Sequence, residues 1–502
     1  MQERPNADLL NSELTGSLEK DRATLETVLY APQNRDIVFR SFQSAGVCLC
    51  LIFTEGMASG TQIGELILRA SCARPQPDPP PDGKDRMQYW VENVFNVSQV
   101  EIESRVGELV KQLLSGMTLV LCEGAAEGAV LETRGFEKRN VNRTNNESVV
   151  RGSQEGFVEN LRTNLTLMRR YVQSPDMITE MLGVGTKVQT RVAILHMEGV
   201  AEPAVLEEVR RRVKTIKRSR LLGLGELQQC IEDCPFAIFP QMLMTERPDR
   251  AASCLLDGQI VVLMDNSPYA LIAPITIFHL LHASDDTFER WQYGSFIRLI
   301  RYLGAVLSIL LPGVYVAITL YHPHLIPMSL VTAIAESRVN VPFTVLTEVL
   351  IMEFSFQLIN EAGTRIPSQI GSAIGIVGAL ILGQAAVSAS IISPLIIIIT
   401  ALTGLGNFTI PSYATALGSI LYRLLIVFAG AAFGLYGIFL VLFAMACQLC
   451  GMRSFGVPYF APVAPHRPHN PDLLLRLPVW LQTRLLFIAR RGSWIRSEGE
   501  KK

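Results

Sequence analysis

Apolar residues are distributed along this chain in two ways. Up to about residue 300 they form short runs, at positions 47–53, 118–122, 192–197 and 260–264, set between charged and polar stretches. Short apolar runs bounded by turn residues read as buried strands. Beyond Arg301 the runs lengthen, and positions 302–321, 371–393 and 416–449 are apolar over lengths that suit a helix crossing a bilayer. Between Tyr302 and Met452 only seven residues carry charge: Glu336, Arg338, Glu348, Glu353, Glu361, Arg365 and Arg423. Residues 366–422 carry none. The pattern predicts a soluble front part of about 300 residues and a helical membrane part behind it.

The front part repeats itself. The run 47–53 leads into Glu55-Gly56-Met57-Ala58 and an amphipathic helix from about Thr61. The run 192–197 leads into Glu198-Gly199-Val200-Ala201 and a helix over 203–216, at an offset of 143. Residues 118–124 and 260–266 match at an offset of 142. Two matches at nearly one offset imply duplicated subdomains, with each acidic-Gly pair a tight turn leaving a strand. The predicted fold class is an α/β cytosolic region of two similar subdomains followed by an all-α, multi-span membrane domain. Residues 1–25 read as a polar tail, 26–138 and 145–290 as the subdomains, 298–450 as the membrane domain, and 451–502 as a basic cytoplasmic tail. A Pro-rich stretch, 74–83, reads as an exposed insertion. The Asn- and Arg-rich stretch 139–148 reads as the boundary between subdomains.

In the membrane part, Pro312-Gly313 predicts a kink in the first span. Arg298 and Arg301 precede that span, and the tail past Met452 holds nine basic and three acidic residues. Basic flanks stay cytoplasmic, so both termini are expected there, with an even number of spans, put at four. The apolar segment 342–360 carries Glu348 and Glu353. Ionisable groups at that depth face a bundle interior or a water-filled path, or the helix lies in the interface. Glu361 and Arg365, four apart, can pair on one helix face. Gly371, Gly375, Ala379 and Gly383 form a small-residue stripe that permits close helix packing, and Gly430 with Gly434 offers a second. Gln384 and Ser388 lie on other faces of the same helix. Polar groups among packed small residues suit a conduction or gating path without separating channel, transporter and scaffold, and about four spans with no membrane repeat favour an oligomeric pore over a monomeric carrier. The pore or gate candidates are therefore Glu348, Glu353, Glu361, Arg365, Gln384 and Ser388.

Composition narrows the rest. The net charge of −1 averages two solvents and says little about partners. Six of the nine cysteines form three close pairs, Cys48/Cys50, Cys230/Cys234 and Cys447/Cys450, with no zinc-ribbon spacing, so reduced thiols without a metal are expected. Residues 1–30 hold no apolar core of a signal peptide. Gly183-Val184-Gly185-Thr186-Lys187 lacks the first glycine of a phosphate loop, and no catalytic motif or cofactor fingerprint is present. A basic run, Arg210, Arg211, Arg212, Lys214, Lys217, Arg218 and Arg220, is either a solvated face or a contact for anionic headgroups or a partner.

Several segments resemble the A-subunit family of bacterial spore germinant receptors, the GerA-type proteins. They are Val149-Val150-Arg151-Gly152-Ser153-Gln154-Glu155-Gly156-Phe157, Asn160-Leu161-Arg162-Thr163-Asn164 with Arg169-Arg170, and Phe239-Pro240-Gln241 with Thr245-Glu246-Arg247-Pro248-Asp249. In the membrane half they are Glu361-Ala362-Gly363-Thr364-Arg365-Ile366-Pro367, Gly383-Gln384-Ala385-Ala386 and Ser393-Pro394. The resemblance covers roughly residues 28–450. It implies a subunit of a nutrient germinant receptor in the spore inner membrane that triggers endospore germination. It also implies a transporter-like B subunit that senses the nutrient, a lipoprotein C subunit, and self-association as a pentameric, nutrient-gated channel releasing monovalent cations. A scaffold subunit or a sporulation-stage paralogue is the alternative that it leaves open.

Overall fold

The computed structural model describes residues 7–72, 84–135, 147, 149, 151–365, 383–465 and 475–478. The Pro-rich stretch and nearly all of the Asn/Arg-rich boundary lie outside these residues, as do Gly371, Gly375 and Ala379. The chain forms two compact units, one from residues Met1–Asp233 and Met244–Ile275, the other from Cys234–Leu243 and Thr276–Thr483, with a terminal segment assigned to the first.

The first unit contains the duplication. Helix α1 (Leu18–Val28) is followed by strands β1 (Ile37–Ser44) and β2 (Val47–Thr54), then β3 (Val100–Glu103), helix α2 (Val106–Leu114), β4 (Thr118–Cys122) and β5 (Gly128–Leu131). The second copy runs α3 (Leu161–Tyr171), β6 (Met177–Val184), β7 (Thr190–Met197), helix α4 (Pro203–Thr215), β8 (Leu243–Thr245), α5 (Pro248–Leu256), β9 (Ile260–Met264) and β10 (Ala270–Ala273). The sheet orders correspond strand for strand: β1-β2-β4-β5-β3 and β6-β7-β9-β10-β8. All four pairs of the first sheet are antiparallel, as are β6-β7, β7-β9 and β9-β10 of the second. In the first, Ala45 and Gly46 join β1 to β2 with positive φ at both positions, as a two-residue hairpin requires.

The apolar runs follow from burial on both faces. Along β2, Cys50 and Ile52 enter one core with Leu25 of α1 and Leu109 of α2. Leu49 and Leu51 enter the opposite core with Ile67, Met87 and Trp90. A strand buried on both sides reads as a continuous apolar run rather than an alternation. The expected polar tail is corrected here. Its Leu14, Leu18 and Leu25 are buried in the first core, because α1 is the structural counterpart of α3, at an offset of 143. Its Glu19 and Lys20 are exposed, and the composition of 1–25 disguises it.

The acidic-Gly motif has a physical role in both copies. After β4, Glu123 accepts the Leu18 N–H at the start of α1, at 3.0 Å. After β9, Asp265 accepts the Leu161 N–H at the start of α3, at 3.3 Å. Each carboxylate satisfies an orphan donor at a helix N-terminus and meets the positive end of its dipole. The next residue, Gly124 or Asn266, has positive φ, a conformation that Asn tolerates better than most residues. The stretch 183–187 is the end of β6 and part of the loop to β7. It opens no helix, so its phosphate-loop reading is set aside.

The second unit is helical. Helix α6 (Trp291–Tyr321) continues through Pro312. Then come α7 (Met328–Arg338), α8 (Val345–Arg365), α9 (Pro394–Phe408) and α10 (Tyr413–Gly451). Two of these, α6 and α10, are long and apolar enough to cross a membrane. Yet α10 is two helices in one run: Gly434 has φ 61° and ψ −144°. The Tyr422 hydroxyl hydrogen-bonds Gln448 at 2.6 Å, 26 residues on, so its two arms lie side by side as a hairpin. The reversal sits at the end of α6, where the Tyr321 hydroxyl donates to Ala431 O at 2.8 Å. Past α10, the segment expected as a tail begins with a packed hairpin, β11 (Arg453–Ser454) with β12 (Val457–Pro458), and Tyr459 behind it is fully buried.

Candidate functional site

The helices of the second unit approach closely where side chains are smallest. A Cβ on Gly406 of α9 would lie 2.5 Å from Gly304 O of α6, and one on Gly430 of α10 would lie 2.8 Å from Gly313 O. Glycine permits these backbone contacts, and they bring α6, α9 and α10 together at one polar seam, which α8 joins. Contacts along the helices give their directions. Ser308 and Tyr321 of α6 meet Arg423 and Ala431 of α10, so α6 and the first arm of α10 run in the same sense. Val345 of α8 and Ile396 of α9 share a core with Tyr315. Phe356 lies against Gly404 and Phe408 toward the other end, so α8 and α9 both run opposite to α6.

Two carboxylates of α8 enter this interior. Glu348, fully buried, accepts from Arg338 Nη2 at 3.0 Å and from the Ser393 backbone N–H at 2.9 Å. Glu353 pairs with Arg423 of α10 at 3.1 Å, the two side chains 5% and 2% exposed. The Arg423 guanidinium reaches Ser308 O of α6 at 3.4 Å. Beside it, Asn407 Oδ1 of α9 accepts from Ser419 Oγ at 2.7 Å and from Ser308 Oγ at 3.3 Å. Glu353 Oε1 and Gln357 Oε1 are buried with no hydrogen-bond partner among the described residues. Burying one charge of a pair without the other costs about 3–5 kcal/mol, so these pairs hold the helices in register.

The remaining candidates lie elsewhere. Glu361 is exposed near the end of α8, and Gln384 and Ser388, four residues apart, are exposed on the helical turn before α9. The Arg365 side chain lies outside the described residues. Gly383 meets only Ile397 carbons, at 3.9 Å. Sequence reasoning missed Arg423, Arg338 and Asn407 as members of the seam. The signal for Arg423 was present, because it is the one charge between Arg365 and Arg453.

The first unit holds a second concave region, between its two repeats. Neighbouring cavities of about 280 Å³ and 440 Å³ share Glu55, Asn160 and Arg162, with Arg162 and Glu55 paired at 2.9 Å. Behind them Arg169, 1% exposed, ties the repeats together. It holds Asp36 through Nε at 2.6 Å and Nη2 at 3.0 Å, and donates to Asn34 Oδ1 and Met177 O. The basic run on and after α4 is partly neutralised: Arg210 pairs with Glu180, Arg211 with Glu208, and Arg212 with Glu208 and Asp233. Hydrogen bonds from Arg211 and Arg212 hold the Glu208 carboxyl down to about 2.

Comparison with known proteins places these features. The sequence model described as Bacillus/Clostridium GerA spore germination protein matches residues 24–485. The chain is 35% identical over 468 residues to the uncharacterized membrane protein YfkQ of Bacillus subtilis, covering 93% of this chain and 89% of that one. It is 34% identical over 471 residues to the spore germination protein KA of Bacillus subtilis, covering 93% and 86%. Among solved structures, the N-terminal domain of the A subunit of the Bacillus megaterium spore germinant receptor GerK3 aligns with a TM-score of 0.41 at 24% identity. That alignment covers 52% of this chain and 96% of that domain.

Proposed function

The chain belongs to the Bacillus/Clostridium GerA family of spore germination proteins, and from that premise we propose that it is the channel-forming A subunit of a nutrient germinant receptor. Copies of the helical unit assemble, as a pentamer, around a path for monovalent cations in the spore inner membrane. A transporter-like B subunit supplies the nutrient signal and a lipoprotein C subunit completes the complex. No part of this role calls for enzymatic chemistry. One observation carries the pore reading: Gln384 and Ser388 stand exposed, four apart, on one helical segment of the bundle. Polar side chains at that place are expensive against lipid and inexpensive along a water-filled path lined by copies. The stripe Gly371, Gly375, Ala379 and Gly383 is the proposed contact between copies.

Among the described helices, α6 and the first arm of α10 run one way and α8 and α9 the other. The charge of the flanks places both termini on the cytoplasmic side, with an even number of passes. Glu353 and Arg423 are the proposed gate pair, held closed by each other inside the bundle.

The test is cation release from liposomes carrying the reconstituted receptor. Replacing Gln384 and Ser388 together with Leu is expected to abolish nutrient-triggered potassium efflux while the complex still assembles. Unchanged efflux from an assembled complex sinks the pore reading and leaves a scaffold. Glu353→Gln is expected to raise efflux without nutrient, since it removes the charge that holds Arg423.

A further inference from the structure

The helical unit includes a loop that arrives from the middle of the second repeat, Cys234–Leu243. Charge is absent from this stretch, which reads Cys-Pro-Phe-Ala-Ile-Phe-Pro-Gln-Met-Leu. Its conformation is closed by one side chain. Gln241, 1% exposed, accepts the Cys234 N–H at 3.0 Å and donates to Cys234 O at 2.7 Å, tying the two ends together. The far side of the loop is held from the packed hairpin region. Tyr459 Oη donates to Pro240 O at 2.7 Å and Ser454 Oγ to Gln241 O at 2.8 Å.

This rigid loop lies on the first arm of α10. The Ile238 carbonyl is 3.0 Å from where a Gly418 Cβ would stand, and Phe239 stacks on Tyr422 with ring centroids 5.1 Å apart. Phe239 is buried by that contact, but Phe236 points away from it and is 96% exposed, the most exposed large apolar side chain among the described residues. Cys234 and Pro235 beside it are exposed too. Along the same arm, Leu417, Leu421, Leu425 and Phe428 form an exposed apolar stripe. A fixed loop that presents a bare phenyl ring beside such a stripe would be a poor solution in water, where exposed apolar surface is costly. It fits the boundary between headgroups and acyl chains, where aromatic side chains anchor proteins.

We propose that the loop Cys234–Leu243 is a membrane-interface anchor, with Phe236 inserted among the lipid acyl chains beside the first arm of α10. The proposal rests on the reading of the helical unit as membrane-embedded. Its occupant is lipid rather than a partner chain, because the loop that carries the tip packs on Gly418 and Tyr422, next in sequence to the Leu417 and Leu421 that the same reading gives to lipid.

The experiment uses the full-length protein in liposomes, comparing Phe236→Trp with the native chain so that the added indole emission is read by difference. Liposomes are made with phosphatidylcholine that carries bromine on its acyl chains, or without bromine and with aqueous acrylamide. The expected result is a blue-shifted added emission, lost for the most part in brominated lipid and little affected by acrylamide, and repeated by Pro235→Trp. Quenching by acrylamide and not by bromine overturns the proposal, since the tip is then in water. Protection from both also overturns it, since protein then covers the tip. A chain that does not float with the liposomes is a different outcome: it removes the membrane reading itself.

Discussion

Arg169 shows how much one side chain can join. Its guanidinium is spent on Asp36, Asn34 and two carbonyls, so both repeats depend on it. Arg169→Ala leaves Asp36 buried and unpaired and is expected to cost about 3–5 kcal/mol. Denaturant unfolding followed through the buried Trp90 measures it, and Arg169→Lys recovers only part, because a lysine cannot span the same fork. At Glu208 the effect is one of pH. Its folded carboxyl titrates near 2, below its ordinary 4.5, so its contribution is present above 4.5 and is lost as pH falls through about 2. The difference in thermal midpoint between the native chain and Glu208→Gln should shrink over that window. It should be small at neutral pH, since Glu208 lies near the surface and its partner Arg211 is exposed.

At the scale of elements, the helical unit is organised by glycines at crossings. Gly304 faces Gly406, and Gly313 faces Gly430, so the stripe that matters inside the unit lies on α6, where the sequence drew the eye only to Pro312-Gly313. Gly406→Leu forces α6 and α9 apart and is expected to destabilise the unit by ~1–3 kcal/mol, seen as a lower melting temperature in detergent. Gly383→Ala, whose added carbon meets only Ile397 at 3.9 Å, is expected to leave that temperature unchanged. The reversal of α10 depends equally on one residue. Only glycine adopts the φ and ψ of Gly434 without strain.

The whole molecule combines a duplicated α/β unit with a helical unit whose charges are few and paired. The two-fold repeat was legible because turn residues recur at a fixed offset. The seam of Glu353, Arg423, Asn407 and Ser308 was half legible. Glu353 announces itself in an apolar tract, and so does Arg423 as a lone charge, but they are 70 positions apart and nothing in either segment says that the two meet.

Sequence alone determined the division between a charge-rich part and a sparsely charged apolar part, the duplication, and the family, because these depend on composition and on motifs in order along the chain. It determined the buried strands as well, since burial on both faces forces uninterrupted apolar runs. Tertiary structure decided which charges meet, which glycines touch, that α10 folds back on itself, and that Leu14, Leu18 and Leu25 belong to a core rather than a tail. Those outcomes rest on contacts between segments far apart in the chain, and a contact has no signature in either segment read by itself.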